Sequence, residues 1–365
     1  MNHIPKTIDD RQLGDQIRQM KSGQKSRALV DYQIATNKQI FQNTSMILFS
    51  LLMALCLMLP NAVSAETLVV IPKGVMFPFW QSVCLGATDA ARKHGTTLVW
   101  RGPRVENKID AQRYIIDLYT DREVEAIVVA PSHAKRLNQS IERAVSKGIK
   151  VVVIDSPVTT SSMDSYIATE NYEAGKLGAK LLLKSLRPGG KVLLMGNVPG
   201  NASTDRREKG FIDHMRDVAS ESLVMPVTFN EGTYTSAIRA AESALSANPE
   251  ISGIFAVNEV SSVAILDWLI QNQSDHIPFI AFDYSANLEK GIISGRIDAL
   301  IAQSPYQMGY LGVEMALKAV RGEQVVSKVE SPVFVLTKDN IKTAEIVKQI
   351  RLDSSDVSRC PSCFK

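Results

Sequence analysis

Unbroken apolar runs of strand length recur along this chain, and a segment of helix length follows nearly every one. The runs are "TLVVIP", "TLVWRG", "AIVVAP", "KVVVID", "KVLLMGN", "VMPVTFN", "GIFAVN", "FIAFD" and "ALIAQ". Between them lie amphipathic stretches such as "FWQSVCLGATDAARKHG", "LNQSIERAVSKG" and "YQMGYLGVEMALKAVRG", several closed by a glycine that suits a left-handed helix cap. Val/Ile runs without polar alternation mark strands buried on both faces. Strand–helix alternation throughout then means parallel sheets with helices on either side. The strands are too many for one sheet of ordinary size, and 365 residues are enough for two cores. The chain is therefore read as two lobes, with the change near "IATENYEAG".

Charge and cysteine use narrow the class. The formal net charge is +3, from 41 Lys and Arg against 38 Asp and Glu, with no basic stripe, so no nucleic-acid partner is expected. Met46 to Leu59 is an apolar stretch of signal-peptide length, too short for a comfortable membrane span of about 20 residues. Val63-Ser64-Ala65 supplies the small-residue cleavage pattern, so residues 1–65 are read as a leader cut after Ala65. An uncleaved anchor is the alternative, and the polar, basic residues 1–45 are long for a signal peptide's first region, so translation from Met20 is a second alternative. Cys360 and Cys363 form "CPSC" in a polar tail, 351–365. Oxidising conditions could pair them, but a frayed tail is the expectation.

Ligands of open parallel sheets bind outside the carboxyl ends of the strands. Phe77, Phe79 and Trp80 follow the first run, Asp155 ends "KVVVID", Tyr234 follows "VTFNEGT", and Asn258, Asp283 and Gln303 end the last three runs. Rings, carboxylates and amides suit a neutral polyhydroxylated ligand. Sugar C–H faces pack on rings, hydroxyls donate strongly to ionised acceptors, and amides match a hydroxyl's dual character. Taken singly, Asp155, Asp283 and Asn258 could be turn or helix caps, Phe79 and Trp80 core, and Tyr234 a surface tyrosine. No glycine-rich phosphate cradle, nucleophile–base pair or zinc-ligand spacing is present, which argues against an enzyme, a metal and a cofactor.

The ordered set "VMFPFWQSVCLGATDAARKHG", "VVVIDSP", "GIFAVNEVSSVAIL", "FIAFDYSANLEKGIISGRI" and "ALIAQSPYQMGYLGVEMALKAVRGE" resembles type I periplasmic sugar-binding proteins of the ribose-binding group. The resemblance runs over nearly all of residues 66–350. It implies an α/β fold of two Rossmann-like lobes joined by a three-strand hinge, one lobe from 66–169 plus 304–331 and the other from 170–303 plus 332–350. It further implies that Phe79 and Trp80 stack on the ligand, that Tyr234 closes from the second lobe, and that Asp155, Asn258, Asp283 and Gln303 hydrogen-bond it. Arg207 matches a second family arginine. Ser156 and Asp205 stand where ribose binders carry arginines, and Phe77 where an asparagine is common, so ribose itself is in doubt.

The function implied is capture of a sugar or polyol by a periplasmic monomer and delivery to the permease of an ABC transporter. A sensory protein presenting its ligand to a chemoreceptor or histidine kinase is the alternative. A repressor on the same fold would need a DNA-binding helix-turn-helix, which residues 1–45 do not supply.

Overall fold

The computed structural model describes residues 66–218, 223–274 and 277–343, with Ile346, Cys360, Cys363 and scattered residues between Asp15 and Phe41. The leader's apolar stretch, its cleavage after Ala65 and most of the tail lie outside the described residues.

From Glu66 onward, eleven strands and nine helices of the described residues alternate. They are β1 (Thr67–Ile71), α1 (Pro78–His94), β2 (Thr97–Trp100), α2 (Ile109–Asp121), β3 (Ala126–Val129), α3 (Asn138–Ser146), β4 (Lys150–Ile154) and β5 (Ser165–Ala168). There follow α4 (Asn171–Leu182), β6 (Lys191–Met195), α5 (Ala202–Val218), α6 (Tyr234–Ala247), β7 (Ile251–Ala256), α7 (Glu259–Gln271), β8 (Phe279–Phe282) and α8 (Ala286–Ile293). Last come β9 (Ala299–Ala302), α9 (Pro305–Val320), β10 (Lys328–Glu330) and β11 (Phe334–Leu336).

The strands form two sheets, ordered β10-β5-β4-β3-β1-β2 and β11-β9-β8-β7-β6. All pairings are parallel except β11 with β9. The chain leaves the first sheet after β5, returns after β9 through α9 and β10, and crosses again into β11. Strands β3, β7, β8 and β9 are buried end to end, which is what their continuous Val, Ile, Phe and Ala content requires of a layer covered on both faces. Separate apolar clusters cover the two faces of each sheet.

Two close helix contacts fix the frame. A Cβ on Gly86 would fall 2.0 Å from the Tyr306 carbonyl oxygen, and one on Gly309 would fall 1.9 Å from that of Val83. Glycines on both helices thus let α9 lie backbone to backbone on α1. The same reciprocity joins α4 to α5, where a Cβ on Gly175 would meet the Arg207 carbonyl oxygen at 2.0 Å and one on Gly210 that of Tyr172 at 2.0 Å. Helix α1 opens with Pro78 and ends at Gly95, whose φ of 66° supplies the left-handed stop.

Two sequence expectations need correction. The run "VMPVTFN" is not a full strand and touches β6 only through isolated bridges at Val224 and Thr228. Pro226 has no N–H to offer a ladder, and the run lies at the sheet's edge. The tail cysteines do not fray: Cys363 is disulfide-bonded to Cys84 on α1, and Cys360 is buried with them, its sulfur 3.3 Å from Thr88 Oγ1. Leu85, Trp100 and Tyr306 complete this apolar site.

A bridge that closes so long a loop restricts the unfolded chain. Cys84→Ser is expected to lower the unfolding free energy by about 2–4 kcal/mol, read as a shift in the urea midpoint. Equal midpoints for the wild-type chain with and without a dithiol reductant would show that the bridge does not form in solution.

Candidate functional site

The carboxyl ends of both sheets face one cavity. Asp155 follows β4 and Asp283 follows β8, and both adopt left-handed backbone, with φ of 63° and 67°. Each amide donates to the neighbouring strand, Asp155 to Ile167 and Asp283 to Ile301, both at 2.9 Å. Left-handed backbone is costly for a residue with a side chain, though Asp tolerates it better than most. Its appearance at matching points in two sheets turns both carboxylates into the cavity.

Asp155 is paired with Lys73 two residues beyond β1, the Nζ–Oδ2 distance being 2.6 Å. The same ammonium donates to Ser156 Oγ at 2.6 Å, and across the cleft to Asn201 Oδ1 at 2.7 Å and Ser203 Oγ at 3.0 Å. Other bonds also cross between the two halves. Asn197 donates to Glu106 at 3.0 Å, and the Phe79 amide donates to Glu259 at 3.3 Å. The other Glu106 oxygen accepts from the Trp80 indole at 2.8 Å. Phe79 and Trp80 pack edge to face, with centroids 4.9 Å apart.

On the second sheet, Asp283 Oδ2 accepts from the Glu259 amide at 3.0 Å, at the N-terminus of α7, where a helix favours negative charge. Its Oδ1 accepts from Gln303 Nε2 at 2.7 Å. Asn258 caps α7 through its Oδ1, which accepts from the Ser261 amide at 3.2 Å. Arg207 reaches in from α5, its Nε donating to Asn171 and its Nη1 to the Val257 carbonyl, both at 2.8 Å. The guanidinium lies 3.9 Å from the Phe282 ring centroid. Two buried polar atoms of residues that line this cavity have no partner among the described residues: Arg207 Nη2 and Gln303 Oε1. Native interiors rarely leave such groups unmatched, and these two belong to residues that line the cavity.

Burial governs titration in this region. It raises the carboxyls of Glu259 and Asp283, the Asp283 charge adding to the effect on Glu259 and the Arg207 charge opposing it at Asp283. Burial also lowers the Arg207 guanidinium, against the pull of Asp283 and Asp155. Behind the cavity, Glu208 on α5 is pushed up to about 8 by burial, with repulsion from Asp205 second.

Phe79, Trp80, Asp155, Arg207, Asn258, Asp283 and Gln303 all line the cavity. Tyr234, expected to close from the second lobe, does not. It is 42% exposed, its hydroxyl donates to Asp267 on α7 at 2.6 Å, and it borders an outer pocket that shares Phe77, Glu259 and Val260 with the cavity. The cause is local: Tyr234 is the first residue of α6, capped by Thr233, and that turn carries the ring along the surface of α7. Asp205, where ribose binders were expected to carry an arginine, accepts from the Gly200 amide at 3.1 Å instead.

Sequence reasoning missed Lys73, Glu106, Asn201, Ser203, Thr204 and Glu259, all of which line the cavity. Lys73 and Glu259 each lie a residue beyond a strand-end position and were within reach of the strand-end rule. Glu106 stands in a loop, with no local signal.

Residues 68–324 match the periplasmic binding protein domain. The ribose import binding protein of Salmonella typhimurium is 26% identical over 272 residues, 73% of this chain and 89% of that protein. A carbohydrate transporter solute-binding protein from Agrobacterium radiobacter, solved with D-arabinose, superposes with a TM-score of 0.75 at 26% identity, covering 80% of this chain and all of that one. An ABC transporter solute-binding protein from Agrobacterium vitis, solved with D-fucose, gives a TM-score of 0.75 at 29% identity over 78% of this chain and all of its own.

Glu208 gives a pH test of this region. An unfolded glutamate ionises near 4.5, but in the fold Glu208 holds its proton to about 8. Between those values the folded state binds more protons than the unfolded one, so this group makes stability fall as pH rises and stops contributing to the slope above about 8. The slope is up to about 1.4 kcal/mol per pH unit. Glu208→Gln is expected to remove that share, leaving the slope due to Glu259 and Asp283. Parallel pH profiles of the urea midpoint for the two proteins would refute the buried, protonated Glu208.

Proposed function

The chain belongs to the type I periplasmic sugar-binding proteins, and from that premise we propose that it captures a sugar or related small polyhydroxylated ligand in the cavity between its sheets and hands it to the permease of an ABC transporter. Its relatives are solute-binding proteins rather than enzymes. The observation that carries the reading is the pair of buried atoms without partners, Arg207 Nη2 and Gln303 Oε1, set among Phe79, Trp80, Asp155 and Asp283. Hydroxyl groups supply both the donor and the acceptor those atoms lack, and the carboxylates take hydroxyl protons in charge-assisted bonds.

Each half of the cavity holds part of the machinery. Lys73, Glu106, Asp155 and the rings come from the first sheet's side, and Arg207, Asn258, Glu259 and Asp283 from the second. A ligand that satisfies both halves favours the closed arrangement by its differential affinity, and a permease reads that shape. The roles of the individual side chains, the monomeric state and export to the periplasm through a cleaved leader belong to this proposal. The relatives' ligands support a small sugar, and Asp205 and Ser156 argue against ribose.

Trp80 emission should respond saturably to one member of a panel of pentoses, hexoses, sugar phosphates and polyols. At a hundredfold excess over the dissociation constant, that ligand should stabilise the fold by about 2.7 kcal/mol. Asp283→Ala should abolish the response while the chain still melts cooperatively. A variant that binds with normal affinity would remove Asp283 from the site.

A further inference from the structure

The cavity's charges do not balance, and the imbalance says more about the ligand than its hydroxyl-binding character does. We infer that the ligand carries an amino group as well as hydroxyls, an amino sugar or amino polyol whose ammonium is held by Glu259 and Gln303 beside Asp283. The inference rests on the sugar-binding reading above.

Four carboxyl groups line the cavity, those of Glu106, Asp155, Glu259 and Asp283, against two cationic side chains, Lys73 and Arg207. Lys73 has no charge to spare for a ligand. Its ammonium carries three protons and has four protein oxygens within 3.0 Å, one of them on Asp155. Arg207 gives Nε–H to Asn171 and one Nη1–H to Val257, and its Nη2 has no partner among the described residues. Glu106 receives hydrogen bonds from Trp80 and Asn197, and Glu259 from the Phe79 amide, all neutral donors. A half-buried carboxyl, that of Glu106, and a buried one, that of Glu259, are therefore left without a cation.

The open acceptors lie at the same end. One proton of Gln303 Nε2 is committed to Asp283 Oδ1, and this fixes the amide so that Oε1 is the atom left without a partner among the described residues. Gln303 is 2% exposed. Glu259 is tied by its amide to the other Asp283 oxygen, and among the described residues nothing pairs with its Oε1. The Gln303 acceptor and, once it gives up its proton, the Glu259 carboxylate are thus both linked to Asp283. A hydroxyl brings one proton and two lone pairs of its own, whereas an ammonium brings three protons and no lone pair. Burial already holds the Glu259 carboxyl well above its usual range, so without a ligand the site avoids the cost of a bare anion. An entering cation supplies the missing charge.

Calorimetric titration of the full chain with D-glucosamine, D-galactosamine and D-mannosamine, each against its parent hexose and N-acetyl form, decides the matter, with pentoses run alongside. One amine is expected to bind about tenfold to a hundredfold tighter than both neutral counterparts, the span of a hydrogen bond to a charged group. Glu259→Gln should erase that margin. Gln303→Met, which removes the orphan acceptor at similar size, should reduce it and serves if the first variant fails to melt cooperatively. Binding of a neutral sugar with no amine gaining over its parent overturns the inference and leaves the sugar-binding reading intact. Silence toward every sugar, aminated and neutral, overturns both.

Discussion

An ionised carboxylate taken out of water must find a counter-charge, a set of donors or a proton, and this cleft contains four carboxyl groups. The rest of the site follows from how each is accommodated. Asp155 has Lys73, Asp283 has a helix N-terminus and an amide, Glu106 has an indole and an amide, and Glu259 keeps its carboxyl raised by burial. None of these solutions is local. Lys73 reaches Asp155 only because β1 and β4 flank β3 in one sheet, and Glu259 meets Asp283 only because β7 and β8 are neighbours in the other. The parallel order of strands is what makes the chemistry affordable.

The helices then set distances that the strands cannot. Arg207 can reach the cavity because Gly175 lets α5 lie against α4 with the Arg207 carbonyl where a Cβ would be. Any side chain at 175 would push that helix outward, and with it the guanidinium that stacks on Phe282. On the first lobe the Gly86–Gly309 contact anchors α9, so the segment that crosses back between the sheets is fixed to the helix that carries Phe79 and Trp80. A close glycine contact is usually credited to packing. Here it also positions a charge and two rings.

Much of this was legible in the sequence, for identifiable reasons. Continuous apolar runs gave the buried parallel strands, and the strand-end rule found Asp155, Asn258, Asp283 and Gln303, because parallel topology converts sequence position directly into spatial position. The short strands β5, β10 and β11, of three or four residues, carry too little pattern to stand out from loops. Tyr234 was misplaced because a helix's first turn can aim a side chain along the surface as readily as into a cleft. Glu106 enters from a loop, where nothing in the local pattern indicates direction. The Cys84–Cys363 pairing joins residues 279 apart, and spacing of that length says nothing about proximity.

The bonds that bridge the two halves suit the opening and closing that the proposed capture of a ligand requires. When the halves separate, Lys73 loses Asn201 and Ser203 but keeps Asp155 and Ser156, so its charge is never stranded. Glu106 loses Asn197 and keeps Trp80. Each is an exchange of a protein partner for water, worth about 1 kcal/mol or less in net terms rather than the several that a stranded buried charge would cost. On the proposed reading, exchanges of this kind help keep the open and closed arrangements close in energy. On the same reading, a captured ligand would tip that balance by satisfying Arg207 Nη2 and Gln303 Oε1 together.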